Sequence, residues 1–257
     1  MKVVILCGGL GMRLREETEV KPKPMVEIGG MPILWHIMKT YAYYGFNEFV
    51  LCLGYKGEAI KKYFYNYEIM ANDFTVELGT KKIEIYSKHS ENGWKVTLVD
   101  TGLNVMTGAR LKKVERFIDS DTFMLTYGDG VIDLDINKLL AFHKSHGKIG
   151  TVTGVFPLLT YGELSIRGDR VLSFEEKPAN DKHSISGGYF VFNKRIFDYL
   201  SEKDSCVLER EALKKLVDEE QLKVFVHNGF WQCMDTYRDY VYLQEIWKKS
   251  EALWKKW

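Results

Sequence analysis

Two groups of residues in this chain have types and spacings that could do chemistry. The first is Gly8-Gly9-Leu10-Gly11-Met12-Arg13, with Lys21-Pro22-Lys23-Pro24 ten residues on. Glycines at 8, 9 and 11 remove Cβ atoms that would keep a ligand off the backbone. Successive N–H groups in such a turn can form a nest for phosphate oxygens. Arg13 adds a planar cation suited to phosphate. Two prolines hold Lys21 and Lys23 on an extended segment. Together these features suit a polyphosphate. The second group is acidic. Asp129 stands between Gly128 and Gly130, and Asp235 lies in the run Gly229-Phe-Trp-Gln-Cys-Met-Asp-Thr236. Asp235 could also simply N-cap the helix that follows it. No Gly-Lys-Ser/Thr follows the first loop, so it is not a P-loop. Nor does its spacing fit G-x-G-x-x-G, and the prolines fall where a dinucleotide fold would continue its helix.

Periodic elements must position these groups. Val3–Leu6 reads as a buried strand feeding the glycine loop. Pro32 suits the first turn of a helix running to Tyr44, with Gly45 as its stop. Phe49–Leu53 is a second buried strand, and Glu58–Tyr67 a helix with Ile60, Tyr63, Phe64 and Tyr67 on one face. Strand–helix–strand–helix is the pattern of a mostly parallel sheet covered on both faces, a Rossmann-like α/β fold. Between Asp73 and Asp100 the alternation Phe74/Val76/Leu78 and Ile83/Ile85, with the strand Lys95–Val99, predicts small β-hairpin additions outside that sheet. Thr107 is expected to N-cap a helix reaching Ile118 and to aim free N–H groups at an anion or a polar ring. Phe123–Tyr127 is a third central strand, so Asp129 falls at a carboxyl end, where open α/β sheets bind ligands. Asp133 or Asp135 caps the next helix. Ile149–Phe156 is a further strand, Tyr161–Ile166 and Arg170–Phe174 form a hairpin, and Tyr189–Phe192 is again a strand. A helix near Glu209–Val217, a strand Lys223–His227 and a last helix opened by Asp235-Thr236 follow. The tail Leu253-Trp254-Lys255-Lys256-Trp257 is aromatic enough to dock on the body or on another subunit.

Composition narrows the function classes. The chain has 257 residues, 46% hydrophobic and 28% charged, with 36 Lys+Arg against 35 Asp+Glu. No net field favours nucleic acid or an anionic membrane, and no apolar run approaches the ~20 residues of a membrane span. Cations in a site must therefore be placed locally. The N-terminus enters a strand without a signal-peptide layout. Cys7, Cys52, Cys206 and Cys233 are scattered and form no CxxC pair, so reduced thiols in a cytoplasmic protein are expected. The six histidines, His36, His89, His143, His146, His183 and His227, show no ligand spacing. His143 and His146 are expected on a solvated helix face.

Gly8-Gly-Leu-Gly-Met-Arg-Leu14 with Lys21-Pro-Lys-Pro24 resembles the opening signature of the sugar-1-phosphate nucleotidylyltransferases. Tyr127-Gly-Asp129, Glu176-Lys-Pro178 and Gly187-Gly188 follow in that family's order, and the likeness covers almost the whole chain. Residues 21–30, Val99-Asp-Thr-Gly102, Met106-Thr-Gly-x-Arg-Leu111 and residues 229–236 are most similar to members that join CTP to glucose 1-phosphate. Met12 departs from the family's usual Thr, and Ala109 from its usual Gly.

The resemblance implies the nucleotide-diphospho-sugar transferase fold in a single domain, 1–257. Residues 1–130 would be the nucleotide half, 131–235 the sugar-phosphate half, and 236–257 a C-terminal helix and tail able to contact another subunit. It implies Mg²⁺-assisted in-line attack of the sugar phosphate on the α-phosphate of CTP, giving CDP-glucose and diphosphate for deoxysugar units of surface polysaccharide such as lipopolysaccharide O-antigen. Arg13 and Lys23 are the catalytic cations it implies. Leu6, Gly8, Gly9, Leu10, Gly11, Met12, Thr101, Gly102, Thr107, Arg110 and Gly128 would hold the nucleotide. Tyr127, Glu176, Lys177, Gly188 and Trp231 would hold the sugar phosphate, and Asp129 and Asp235 the metal. Two carboxylates suffice for Mg²⁺, which keeps water and phosphate oxygens as its other ligands. Base choice is expected in Leu6–Gly9, Thr101-Gly102 and Thr107–Arg110. The partners implied are CTP, glucose 1-phosphate and further copies of the chain, six by family analogy. The rival readings are a thymidylyl- or uridylyltransferase of the same fold, and a non-catalytic nucleotide-sugar sensor.

Overall fold

Seven apolar segments spaced along the chain meet in one sheet. In a computed structural model that describes residues 1–86, 90–157, 163–175 and 184–257, these are β1 (Lys2–Cys7), β2 (Glu48–Leu53), β3 (Lys95–Asp100), β4 (Thr122–Tyr127), β5 (Gly150–Val155), β6 (Ile185–Asn193) and β7 (Leu222–His227). The order across the sheet is β7-β5-β6-β4-β1-β2-β3. β1 runs parallel to β2 and β4, β2 to β3, and β5 to β7. Only β6 runs antiparallel, against β4 and β5. The sheet is thus mixed and mostly parallel, with β3 as an edge strand rather than part of an outlying hairpin. Val96, Leu98 and Val99 give Lys95–Asp100 enough apolar surface to pack beside β2, with which it pairs in parallel along its whole length.

Alternation along the strands divides the core into two layers. Val3, Ile5 and Cys7 of β1 face one cluster with α1 (Ile33–Tyr43), α2 (Gly57–Tyr65), α4 (Ile136–His146) and α5 (Tyr237–Lys248). Val4 and Leu6 face the other, with α3 (Thr107–Lys113) and the helical run Leu208–Asp218. The latter opens as a π-helix over Leu208–Leu213. α3 stops at Lys113 and gives way to a 3-10 turn over Glu115–Phe117, short of the Ile118 end expected from sequence. Asp135 caps α4 by accepting from Lys138 N.

The aromatic tail docks on the chain's own body. Trp254 is fully buried, stacked with Phe230 and Trp247. Its Nε1–H donates to His36 Nδ1 at 3.3 Å, which leaves His36 Nε2–H to donate to Ile28 O at 2.9 Å. Burial pushes the His36 pKa down to about 4. A Cβ on Gly29, which has φ +60, would fall 1.8 Å from Trp247 Nε1, so that turn admits only glycine.

His143 and His146 do not form a solvated face. Both rings meet the buried Thr151 Oγ1 of β5, at 2.9 and 2.8 Å. Among the small hairpins, Phe74–Glu77 with Lys82–Ile85 and Glu163–Arg167 with Arg170–Glu175 lie outside the main sheet as expected. His89 and His183 lie outside the described residues.

Candidate active site

The chain passes from β1 through β2 to β3 on one side of β1 and then returns to β4 on the other. The carboxyl ends of β1 and β4 therefore flank the point where strand order reverses, which is where such sheets hold ligands. Gly8–Arg13 leaves β1 there, and Gly128-Asp129 leaves β4. Gly128 N donates to Leu6 O at 3.1 Å and ties the two exits together.

Asp235 reaches this point through a small ladder. Gly130–Ile132 pairs antiparallel with Trp231–Cys233, and Met234 N donates to Asp129 O at 2.8 Å. The cap of α5 is Thr236, not Asp235. The Thr236 side chain accepts from Asp239 N, and the Asp239 carboxylate accepts from Thr236 N, a reciprocal capping box. The Asp235 carboxylate is thereby left free to face the cleft.

Lys23 Nζ lies between the two acids, 2.7 Å from Asp129 Oδ2 and 2.5 Å from Asp235 Oδ1. Arg13 Nη1 reaches Asp235 Oδ2 at 3.1 Å from the exposed rim. Burial works against the charge of Lys23, whose side chain is 12% exposed. The field of Asp129 and hydrogen bonds to both carboxylates outweigh that penalty and hold the ammonium above its usual range. Burial likewise opposes ionisation of Asp235, but Lys23 and Arg13 hold its pKa below the usual carboxylate range.

Asp129, Cys233 and Asp235 place one ligand atom each within 4.8 Å of one another. The residues fit a hard divalent cation: two carboxylate oxygens converge, and the position between them already holds a positive group. Burial pushes the Cys233 thiol up, so it stays a neutral neighbour.

Two clefts meet at this cluster. The larger, about 580 Å³, is lined by Leu6–Arg13, Lys23, Leu103–Thr107, Arg110, Tyr127, Gly128, Asp129 and Asp235, with Pro24. The smaller, about 300 Å³, is lined by Tyr127, Ser186–Tyr189, Trp231 and Cys233 with Thr126 and Gly130, and shares Arg13, Tyr127, Asp129 and Asp235 with the first. Trp231 Nε1–H donates to Gly187 O at 2.8 Å. Gly188, with φ +76, leaves room for the Tyr127 ring, which a Cβ would meet at 2.5 Å.

Several expected contacts are made differently. Arg110 is 4% exposed, and both of its Nη groups donate to the protein itself. Nη1 donates to Leu53 O, Thr101 Oγ1 and Gly102 O, and Nη2 to Gly8 O and Leu103 O, all at 2.7–3.1 Å. Thr101 and Gly102 do not line the cleft. Gly102, with φ +100, turns the chain so that Leu103–Met106 forms the wall instead. Thr107 is not the cap of α3. Met106 holds that position, and the N–H groups of Gly108 and Ala109 donate to Cys206 O. Those two donors are therefore engaged within the protein rather than aimed at an anion. Ala109 is buried in the core, whereas Met12 is exposed on the cleft. Glu176 and Lys177 lie outside the described residues.

Sequence reading missed Glu209. Its carboxylate accepts from Thr107 Oγ1–H at 2.8 Å and from the Tyr127 hydroxyl, bracing the wall between the two clefts. No signal in the sequence singles it out, because Thr107 and Tyr127 come from distant parts of the chain.

The profile of a family described as Nucleotidyl transferase matches residues 2–249. The chain is 52% identical to a glucose-1-phosphate cytidylyltransferase of Salmonella typhimurium, and 41% identical to a probable glucose-1-phosphate cytidylyltransferase of Bacillus subtilis. Each match covers 100% of both chains. Among solved structures, HddC from Yersinia pseudotuberculosis is 26% identical with a TM-score of 0.64, covering 96% of this chain and 99% of that one. A UDP-glucose pyrophosphorylase complexed with UDP-glucose has a TM-score of 0.69 at 14% identity, over 97% of this chain and 98% of that one, a likeness of fold alone.

Proposed function

Because the chain belongs to the nucleotidyl transferase family, we propose that it is a glucose-1-phosphate cytidylyltransferase, forming CDP-glucose and diphosphate from CTP and glucose 1-phosphate. The observation that carries this reading is the meeting of two clefts at Lys23, Asp129, Asp235 and Arg13. One cleft is large enough for a nucleotide, the other for a sugar, and charged groups stand where they join. The full-length similarity to relatives of that name supports the choice of base and sugar.

The reaction needs positioning and charge more than a nucleophilic side chain. An oxygen of the sugar phosphate is already ionised near neutral pH. It attacks the α-phosphorus of CTP in line, forming a P–O bond as the bond to the β-phosphate oxygen breaks, and the electron pair leaves with diphosphate. No proton has to move. Gly9, with open space where a Cβ would stand, lets the triphosphate approach the backbone. Arg13 on the rim takes the leaving diphosphate. Lys23 stabilises charge on the α-phosphate. Tyr127 and Trp231 flank the sugar, with Glu176 for its hydroxyls and Lys177 for its phosphate. Asp129 and Asp235 would hold Mg²⁺, which when bound screens the charge of the two phosphorylated substrates.

A homo-oligomer in the cytoplasm belongs to the same reading. Phe74, Val76, Ile83 and Ile85 share one face of a hairpin and are all exposed, which supports contact with a second copy. The four cysteines are free, which supports a reducing compartment.

Diphosphate release from purified protein with Mg²⁺ tests the function, using glucose 1-phosphate and each of CTP, dTTP, UTP, ATP and GTP in turn. CTP should be preferred by at least about a hundredfold, since a site built to pair with the cytosine amine leaves a buried group unpaired with the other pyrimidines. Preference for dTTP or UTP would replace the cytidylyl reading, and no turnover with any of them would favour a sensor.

A further inference from the structure

The mechanism sets Lys23 against a phosphate, yet its ammonium is engaged elsewhere. It sits 2.7 Å from Asp129 Oδ2 and 2.5 Å from Asp235 Oδ1. A Mg²⁺-sized ion bound to the same two oxygens would stand about 2.1 Å from each. The ammonium and the ion therefore claim one volume. The backbone gives Lys23 little freedom to leave it. Pro22 and Pro24 flank the residue, and Lys23–Met25 is a 3-10 turn with Pro24 and Met25 buried. Relief must come from rotation of the flexible four-carbon stem.

We propose that Lys23 is the resident counter-ion of the Asp129–Asp235 pair, excluding a free divalent cation until a nucleotide phosphate accepts the ammonium in exchange. The proposal rests on the metal-assisted reading above and adds an order of events to it. The pair of acids is never left bare, because two half-buried carboxylates without a cation would repel. A phosphate that draws Lys23 aside frees the carboxylates, so nucleotide and cation promote each other's binding. By linkage the promotion is equal in both directions.

Binding of Mn²⁺ alone, followed by the loss of the free-ion electron paramagnetic resonance signal, tests this without turnover. Lys23→Met should bind Mn²⁺ about tenfold or more tightly than wild type, because the ion no longer displaces two charge-assisted hydrogen bonds. Arg13→Met removes a cation from the same Asp235 without vacating the shared position, and should gain less than about threefold. Asp129→Asn combined with Lys23→Met should lose the tight site. CMP chelates divalent ions weakly. It should raise the Mn²⁺ affinity of wild type and give no such gain in Lys23→Met. Lys23→Gln serves the same purpose should the Met variant melt early, and the CMP effect on wild type needs no variant.

Equal Mn²⁺ affinity in wild type and Lys23→Met overturns the competition, as does an equal gain in Arg13→Met. An identical CMP effect with and without Lys23 overturns the exchange. Absence of Mn²⁺ binding in every protein, with or without CMP, removes the metal centre itself. That failure of the functional reading is distinct from bound metal with equal affinities.

Discussion

Gly8→Ala should destabilise the protein through Arg110, and the effect should vanish when Arg110 is absent. An added Cβ would lie 2.2 Å from Arg110 Cζ and Nη1 and 2.7 Å from Nε. The backbone of Gly8 has no left-handed φ that would itself penalise alanine. The guanidinium would have to leave its five acceptors. Leu53 O keeps the Thr101 N–H and hydroxyl, and Gly8 O keeps a long bond from Tyr55 N at 3.5 Å. Gly102 O and Leu103 O keep no other hydrogen bond among the described residues. Two part-buried carbonyls left unpaired cost about 1–3 kcal/mol each. Release of a buried guanidinium toward water offsets part of this, so Gly8→Ala should cost about 2–4 kcal/mol. Arg110→Ala loses the same bonds and leaves a cavity, about 3–5 kcal/mol. Were the two independent, the double variant would lose about 5–9 kcal/mol. Because one contact underlies both, it should lose no more than Arg110→Ala alone, a coupling of about 2–4 kcal/mol. Urea denaturation of the four proteins measures this directly. Additivity within about 0.5 kcal/mol would refute the argument and return Gly8 to a role in ligand approach alone.

Three further outcomes are expected. Asp235→Asn should raise the Mg²⁺ concentration for half-maximal diphosphate release by about tenfold or more, since one of two carboxylates is lost; an unchanged Mg²⁺ titration would remove Asp235 from the metal site. Above pH 6.5 His36 is neutral in folded and unfolded chains alike, and between pH 6.5 and about 4 only the unfolded chain takes up the proton. Stability should therefore fall with pH across that window, by on the order of 3 kcal/mol. Denaturation of wild type and His36→Asn at several pH values checks it, and equal slopes would contradict it. Trp254→Ala should cost about 3–5 kcal/mol, as for other fully buried large aromatics, read from the urea midpoint; a loss under about 1 kcal/mol would mean the tail is not part of the core.

The parts of the site legible in sequence are those fixed by local order. An apolar run ending in glycine gives β1 and its loop, or β4 and Asp129, without knowledge of the rest of the chain. The convergence of Asp235 on Asp129 was not legible from spacing, because it depends on the pairing of Gly130–Ile132 with Trp231–Cys233 across a long stretch of chain. Only the resemblance pointed to it. The ambiguity over the α5 cap had the same root: Asp235 and Thr236 are both good caps, and Asp239 three residues after Thr236 decides between them. The resemblance implies that Arg110 holds the nucleotide, yet its Nη partners are mostly backbone carbonyls, which sequence does not display. Thr101-Gly102 is expected to take part in base choice, but the left-handed turn at Gly102 makes Leu103–Met106 the cleft wall instead. The spacing of His143 and His146 suggests a solvated face because it says nothing of Thr151, whose hydroxyl faces them from β5.

The charge at the junction explains why a buried arginine stands behind the glycine loop. Arg13 and Lys23 there face Asp129 and Asp235, two charges of each sign, so the cluster carries little net field for a triphosphate. Arg110 is different. Its hydrogen bonds among the described residues all go to neutral oxygens, while Asp100 and Asp204 act on it only through space, and Asp204 is also paired with Lys113. Its unit charge sits under Gly8 and lines the nucleotide cleft, where the low dielectric around it weakens screening. Arg110 therefore does two things from one position. It fixes the ends of β1 and β2 and the Leu103 turn through Nη1 and Nη2, and its charge biases the cleft toward anions. A lysine there could supply the charge but not the planar fork that reaches five acceptors. Arg110→Lys should accordingly keep part of the electrostatic pull on CTP while losing stability, so CTP affinity and urea midpoint would change in different proportions from those in Arg110→Ala.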